Sequence, residues 1–222
     1  MLIEVWADVV CPWCYLGKRR LEEALAQFEH AGECDLLWRS FQLNADAPRE
    51  GGLVAAMLVE RTGMGEDDVN QMQARLTELA AQSGLEYHLD GTRVANTLDA
   101  HRLLHFAAPH GRQGELEEAL FDAYFRQNRN VGDRAVLVDI AVAAGLGRAE
   151  VEGVLDADAY TDEVRADQEE AHALGAEGVP FVVVGRRYGV AGAQPTALFL
   201  ETLRRAWNDL HPGPQPVRWL DT

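Results

Sequence analysis

Apolar and polar positions recur with two different periods along the chain, and the change of period divides it. Leu2-Ile3-Glu4-Val5-Trp6-Ala7 is a short, mostly apolar run that reads as a buried strand. From residue 12 to 29 the period lengthens to that of a helix. Cys14, Leu21, Leu25 and Phe28 fall on one face, and Gly32 follows as a stop. Residues 35–41 (Asp-Leu-Leu-Trp-Arg-Ser-Phe) read as a second strand. The opening is therefore βαβ, which predicts two parallel strands joined by a helix. Residues 44–49, with Pro48, form a loop, and from Gly51 to about Gly175 the spacing is almost wholly helical. Helices are predicted over 53–61 and then from a cap at Asp68, with Val69, Met72, Leu76, Leu79 and Ala80 as the apolar face. Others follow over 98–107 (capped by Asn96 or Thr97), 115–127, 135–144 (capped by Asp133 and stopped by Gly145), 148–155 and 161–174. Residues 85–88 form a short extended piece. Strand spacing returns at Pro180-Phe181-Val182-Val183-Val184, and with a turn at 185–187 and residues 188–191 it predicts a β-hairpin. Pro195 opens a last helix to about Leu210, with Leu198, Leu203 and Trp207 inward, and the proline-rich residues 212–222 form an extended arm.

The expected class is α/β: a compact half carried by 1–45 and 160–211, split by an all-helical insertion over 46–159, with the tail 212–222 apart. A chain of 222 residues, 47% hydrophobic, can bury a proper core without cross-links. The net charge of −16 argues against nucleic acid and anionic membranes as partners and fits a solvated acidic surface. The start of the chain lacks a basic segment followed by a long apolar one, and no stretch reaches the ~18 apolar residues of a membrane helix. These readings place the protein in the cytoplasm, where a close cysteine pair cycles or binds metal and does not serve as a permanent staple.

The candidate chemistry lies in Val10-Cys11-Pro12-Trp13-Cys14, between the first strand and the first helix. Free N–H groups and the positive dipole end of a helix stabilise a thiolate at its first turn. Such positions bring a cysteine pKa from ~8.5 to roughly 3.5–7.5. Pro12 suits the first helical position, and Cys14, one turn later, can resolve a mixed disulfide formed at Cys11. Asp8 caps a turn or tunes the thiols, capping being preferred. A zinc site from Cys11, Cys14, His30 and Cys34 has finger-like spacing. The helix between them would have to break, because sixteen residues at 1.5 Å rise separate the two pairs by roughly 24 Å. Cys34 reads as a small buried hydrophobe at a strand start. His101 and His105 have a spacing that can hold zinc, but no accompanying Glu pattern supports it. No metal is assigned.

Four segments in order carry a resemblance: residues 8–17 around Cys11-Pro12-Trp13-Cys14, Asn96-Thr97-Leu98-Asp99-Ala100-His101, Gly178-Val179-Pro180-Phe181 and Gly192-Ala193-Gln194-Pro195. Together they resemble the DsbA family of the thioredoxin fold. Within it the likeness is to the FrnE-like branch, related to 2-hydroxychromene-2-carboxylate isomerases and kappa-class glutathione transferases. The resemblance implies a thioredoxin-like fold with a helical insertion and a cytoplasmic thiol–disulfide oxidoreductase, with relatives found beside polyketide biosynthesis. It implies Cys11 as attacking and Cys14 as resolving thiol, and Pro180 as a cis-proline that aims Val179 at an incoming sulfur or peptide. Trp13 is a further substrate-side position, and Asn96 and His101 either stand where substrate enters or serve as a helix cap and a satisfied, partly buried histidine. Trp13 adds no charge, so the expected thiolate is less extreme than in the family's strongest oxidants. No bound cofactor is implied, because the dithiol carries the two electrons. The partner is a disulfide- or thiol-containing protein or small molecule. The tail lies outside the resemblance, and its two open placements are on the body or on a second subunit of a homodimer. Two rival functions stand beside this one. A glutathione-dependent transferase or isomerase would carry Ser in place of Cys11 and an acid near 192–195, and both are missing. A non-catalytic binding module would keep the cysteines idle or on zinc.

Overall fold

The computed structural model describes residues 1–212, so the expected arm lies, but for Pro212, outside the described residues. Four strands form one mixed sheet in the order β2-β1-β3-β4: β1 (Leu2–Ala7), β2 (Asp35–Ser40), β3 (Phe181–Val184) and β4 (Tyr188–Ala191). β1 and β2 run parallel, joined by α1 (Pro12–Ala26), as the βαβ pattern predicts. β3 pairs antiparallel with β1 and β4 with β3, closing the predicted hairpin. Between β2 and β3 lie α2 (Val54–Thr62), α3 (Glu66–Gln82), α4 (Leu98–Ala107), α5 (Gln113–Phe125), α6 (Arg134–Ala143), α7 (Arg148–Asp156) and α8 (Thr161–Ala173); α9 (Thr196–Leu210) follows β4. This is the α/β arrangement with a helical insertion that the periodicity predicts.

Alternation along the strands gives the sheet two unlike faces. Ile3, Val5 and Ala7 of β1, with Val182 and Val184 of β3, join a core that runs unbroken through α1 and α9 into the helical block. Trp6, Phe181 and Val183 point the other way and meet Phe41, Ala171 and Ala176 beneath α8. On that second face the buried Glu4 receives Arg39 Nη2 at 2.7 Å and is also paired with Arg186. Arg39 Nη1 reaches Asp167 Oδ1 at 3.0 Å, the Ser40 N–H donates to Asp167 Oδ2 at 2.8 Å, and Trp6 Nε1 donates to the Asp167 carbonyl at 2.7 Å. Burial pushes the Asp167 carboxyl up, but His105, the Ser40 N–H and Arg39 outweigh it and hold it below the usual carboxylate range. α8 is thus pinned to the sheet by matched charges.

Several elements differ from the expectation. α1 stops at Ala26, where Gln27 (φ −100°, ψ −4°) leaves the helix and bonds back to Ala24 and Leu25; Phe28 still reaches the core. α3 begins at Glu66 with Gly65 as its cap, so Asp68 sits in the first turn with Glu66 and Asp67, where carboxylates meet the positive end of the helix. Met72 points out of the face that buries Val69, Leu76 and Ala80. Residues 85–88 pair with no strand. On α9 the buried positions are Phe199, Leu203 and Ala206, while Leu198 is exposed; five residues at 100° each place Leu198 well off the face of Leu203. Cys34 is partly buried and closes a 3-10 turn before β2. Asp133 caps α6 as expected, accepting from the Ala135 N–H at 2.7 Å.

Candidate active site

The loop from β1 to α1 holds the two close cysteines. Cys11 is the N-cap of α1, with extended backbone (φ −91°, ψ 111°), and Pro12 occupies the first turn. The Cys11 N–H donates to the Asp8 carbonyl at 2.9 Å, and its own carbonyl accepts from the Cys14 N–H at 3.0 Å. The Asp8 main chain, not its carboxylate, therefore closes the turn. Both sulfurs are reduced. Negative charge on Cys11 Sγ would lie at the positive end of a 15-residue helix.

The Val179–Pro180 peptide bond is cis, and it meets this corner. Cys11 Sγ lies 3.6 Å from the Val179 carbonyl, to which its S–H donates. α1 approaches Pro180 through Gly17, where a Cβ would come within 3.0 Å of Pro180 Cγ. Arg20 Nη1 donates to the Ala193 carbonyl at 2.6 Å and fixes the following turn to the same helix. Cys11 and Cys14 are 3% and 1% exposed, whereas Trp13 between them is 43% exposed. Burial, then the Cys11 sulfur as hydrogen-bond partner and neighbouring charge, holds the Cys14 thiol well above its ordinary range, against a main-chain hydrogen bond from Asp8. Cys14 therefore holds its proton tightly.

Behind the dithiol the helical block presents ionisable groups with little company. Asp8 is buried and accepts from the Leu43 N–H at 2.8 Å through Oδ2. Its Oδ1 faces His101 Nε2 at 3.4 Å, outside hydrogen-bond geometry, and His101 Nδ1 has no partner. Glu117 of α5 is fully enclosed with Oε2 unpartnered. Burial pushes the Glu117 carboxyl up to about 8; Lys18 opposes, and Asp8 and Glu118 add to the rise. The block is also bolted to the loop: Tyr87 Oη donates to the Pro12 carbonyl at 2.7 Å, and Tyr15 Oη to Glu118 Oε1 at 2.6 Å.

The structure thus gathers Cys11, Trp13, Cys14, Val179 and Pro180 at one corner. Asn96 and His101 lie deeper in the helical block. The Asn96 amide donates to the Ala45 and Ala47 carbonyls at 3.0 Å each, and its oxygen caps α4 through the Leu98 N–H. His101 is 1% exposed and lies behind the pair. Sequence reasoning passed over Glu117 and Tyr87. Glu117 was legible, since it shares the helical stripe of Leu120, Phe121 and Tyr124, all buried. In front of the loop opens a cleft of 610 Å³, bordered by Val10, Pro12 and Trp13 and walled by α2 and α3.

The family description "DSBA-like thioredoxin domain" matches residues 2–204. A structure described as a probable DsbA oxidoreductase from Streptomyces coelicolor superposes with a TM-score of 0.91 at 41% identity, covering 100% of this chain and 94% of that one. A 2-hydroxychromene-2-carboxylate isomerase (TM-score 0.69, 13% identity, 95% and 98% covered) shares the fold. So does the cytosolic disulfide reductase DsbM from Pseudomonas aeruginosa with GSH (TM-score 0.62, 16% identity, 95% and 97% covered).

Proposed function

The chain belongs to the DSBA-like thioredoxin domain family, and on that premise we propose that it is a thiol–disulfide oxidoreductase working through Cys11 and Cys14. The observation that carries the reading is the meeting of Cys11, at the N-cap of α1, with the Val179 carbonyl before Pro180. The Cys11 thiolate attacks one sulfur of a substrate disulfide, forming a mixed disulfide and expelling the other sulfur as a thiolate. Cys14 gives up its proton and attacks Cys11 Sγ, releasing the second thiolate and closing the Cys11–Cys14 disulfide. Two electrons pass from the dithiol to the substrate; the same steps reversed oxidise a dithiol. The raised affinity of Cys14 for its proton favours waiting until the mixed disulfide has formed.

We place this chemistry in the cytoplasm, on the ground that an isolated, cycling pair with one further cysteine is the pattern of a reducing compartment. A link to polyketide biosynthesis rests on the family resemblance. The substrate carries a disulfide or thiol, on a protein or a small molecule.

Turnover of insulin or 2-hydroxyethyl disulfide with dithiothreitol as electron source tests the reading. Cys11→Ser lowers the rate by about three orders of magnitude or more, the usual scale for loss of a nucleophile. Cys14→Ser retains the first step and accumulates a mixed disulfide visible by mass spectrometry. An unchanged rate in Cys11→Ser would overturn the assignment.

A further inference from the structure

The cleft beside the cysteine loop, lined by Val10, Pro12 and Trp13 and by neither sulfur, has features that exchange alone does not require. Its walls are mostly apolar side chains, among them Leu43, Met57, Leu58 and Met72. Trp13, Leu43 and Met72 are each more than two-fifths exposed, so three of the chain's exposed large hydrophobics border one opening. α2 buries none of its residues, yet Met57 and Leu58 face the cleft. Its apolar side is left to be covered by something that enters.

One cation lines this cleft, Arg61 at the end of α2. In a chain of net charge −16, Arg19, Arg39, Arg102 and Arg186 all hold carboxylates. Arg61 is exposed and has no carboxylate within 4 Å among the described residues. The one acid in the lining, Asp8, is buried behind the loop and held by the Leu43 N–H. No residue of β1–β4 lines the cleft, so it offers no strand edge on which an extended peptide could pair. A volume of 610 Å³ falls within the range of about 300–1,000 Å³ typical of small-molecule sites.

We propose that this cleft binds the apolar body of a small organic acid bearing a disulfide, with Arg61 holding the acid group and the sulfur passing Trp13 to Cys11. The inference rests on the exchange reading above and narrows its substrate to an amphipathic anion of low molecular weight. Cys11 thiolate attacks RS–SR to give Cys11–S–S–R and RS⁻. The Cys14 thiolate then displaces the second RS⁻, and dithiothreitol, itself oxidised to its cyclic disulfide, returns the two electrons in the assay.

The test compares three disulfides under dithiothreitol: that of 8-mercaptooctanoic acid, that of 8-mercaptooctanol and 2-hydroxyethyl disulfide. The wild-type protein should prefer the acid to the alcohol by about fivefold in kcat/KM, the scale of a well-aligned, partly exposed ion pair. Both should exceed 2-hydroxyethyl disulfide. Arg61→Glu should abolish or invert the acid preference. Met57→Glu, on a helix with no buried residue, should lower kcat/KM for both eight-carbon disulfides while circular dichroism stays native. Equal use of acid and alcohol by the wild type, or a preference that survives Arg61→Glu, overturns the inference and leaves the exchange reading intact. Insulin reduced faster than the acid disulfide, and slowed equally by Met57→Glu, assigns the cleft to peptide and overturns it too. Failure of the wild type on all three disulfides and insulin overturns the exchange reading itself.

Discussion

Two regions of the molecule treat buried charge differently. Beneath α8, Glu4 and Asp167 are enclosed together with the guanidinium groups that neutralise them, and the Asp167 carboxyl is held below its usual range. In the helical block, Glu117 has an oxygen without a hydrogen-bond partner, neither ring nitrogen of His101 has one, and the Glu117 carboxyl is driven up to about 8. Matched charges fasten one element to another. Unmatched ones cost stability.

Breaking the matched side should have the largest effect. Glu4→Ala leaves Arg39 and Arg186 facing an emptied, enclosed site. Both guanidinium groups are partly exposed and keep Asp167 or Glu170, so the loss should be about 1–3 kcal/mol. Urea unfolding followed by circular dichroism checks this, while exchange rates of the folded fraction stay close to wild type. The contrast fails if Glu4→Ala is neutral.

Relieving the unmatched side should act in the other direction, with a pH signature. The Glu117 carboxyl is raised from 4.5 to about 8 in the folded protein. Between those limits the unfolded chain releases the proton and the folded one keeps it. Wild-type stability from this group is therefore whole below about pH 4.5 and falls as pH rises, levelling off above about 8. At ~1.4 kcal/mol per unit, Glu117→Gln should gain up to a few kcal/mol over wild type at pH 8 and little at pH 4. A gain independent of pH would show that shape, not charge, is responsible.

Within the dithiol a smaller asymmetry is expected. Because Cys14 holds its proton well above the ordinary thiol range, iodoacetamide at pH 7 should modify Cys11 at least about tenfold faster, as thiolate fraction and access dictate. Peptide mapping reads the ratio, which should narrow as pH rises. Least of all, Asp133→Ala, far from both faces, should cost about 1 kcal/mol through loss of the α6 cap, with no change in turnover.

Much of this was legible in the sequence, for reasons particular to each element. β1, α4 and the hairpin follow from strict periodicity and strong end signals, and the dithiol corner from residue types that only a helix start accommodates. Asn96 and His101 left two roles open, because a polar side chain looks the same in sequence whether it faces a substrate or a carbonyl group. Asn96 is spent on Ala45, Ala47 and Leu98. Leu198 was misplaced because it stands five residues from Leu203, a separation that puts the two on different sides of any helix, whereas Phe199, four residues away, shares the buried face. Glu4 and Glu117 each interrupt an apolar stripe. That interruption is the available sign of a buried charge, but the partner, or its absence, depends on contacts between distant parts of the chain.

The bond from Tyr87 Oη to the Pro12 carbonyl has a bearing on inheritance and engineering. A helical module grafted from a relative must bring a donor to that carbonyl or leave the loop between the two sulfurs slack. The insert and the cysteine loop are thus poor candidates for independent exchange, and chimeras joined at the sheet should keep the phenol together with the proline it secures.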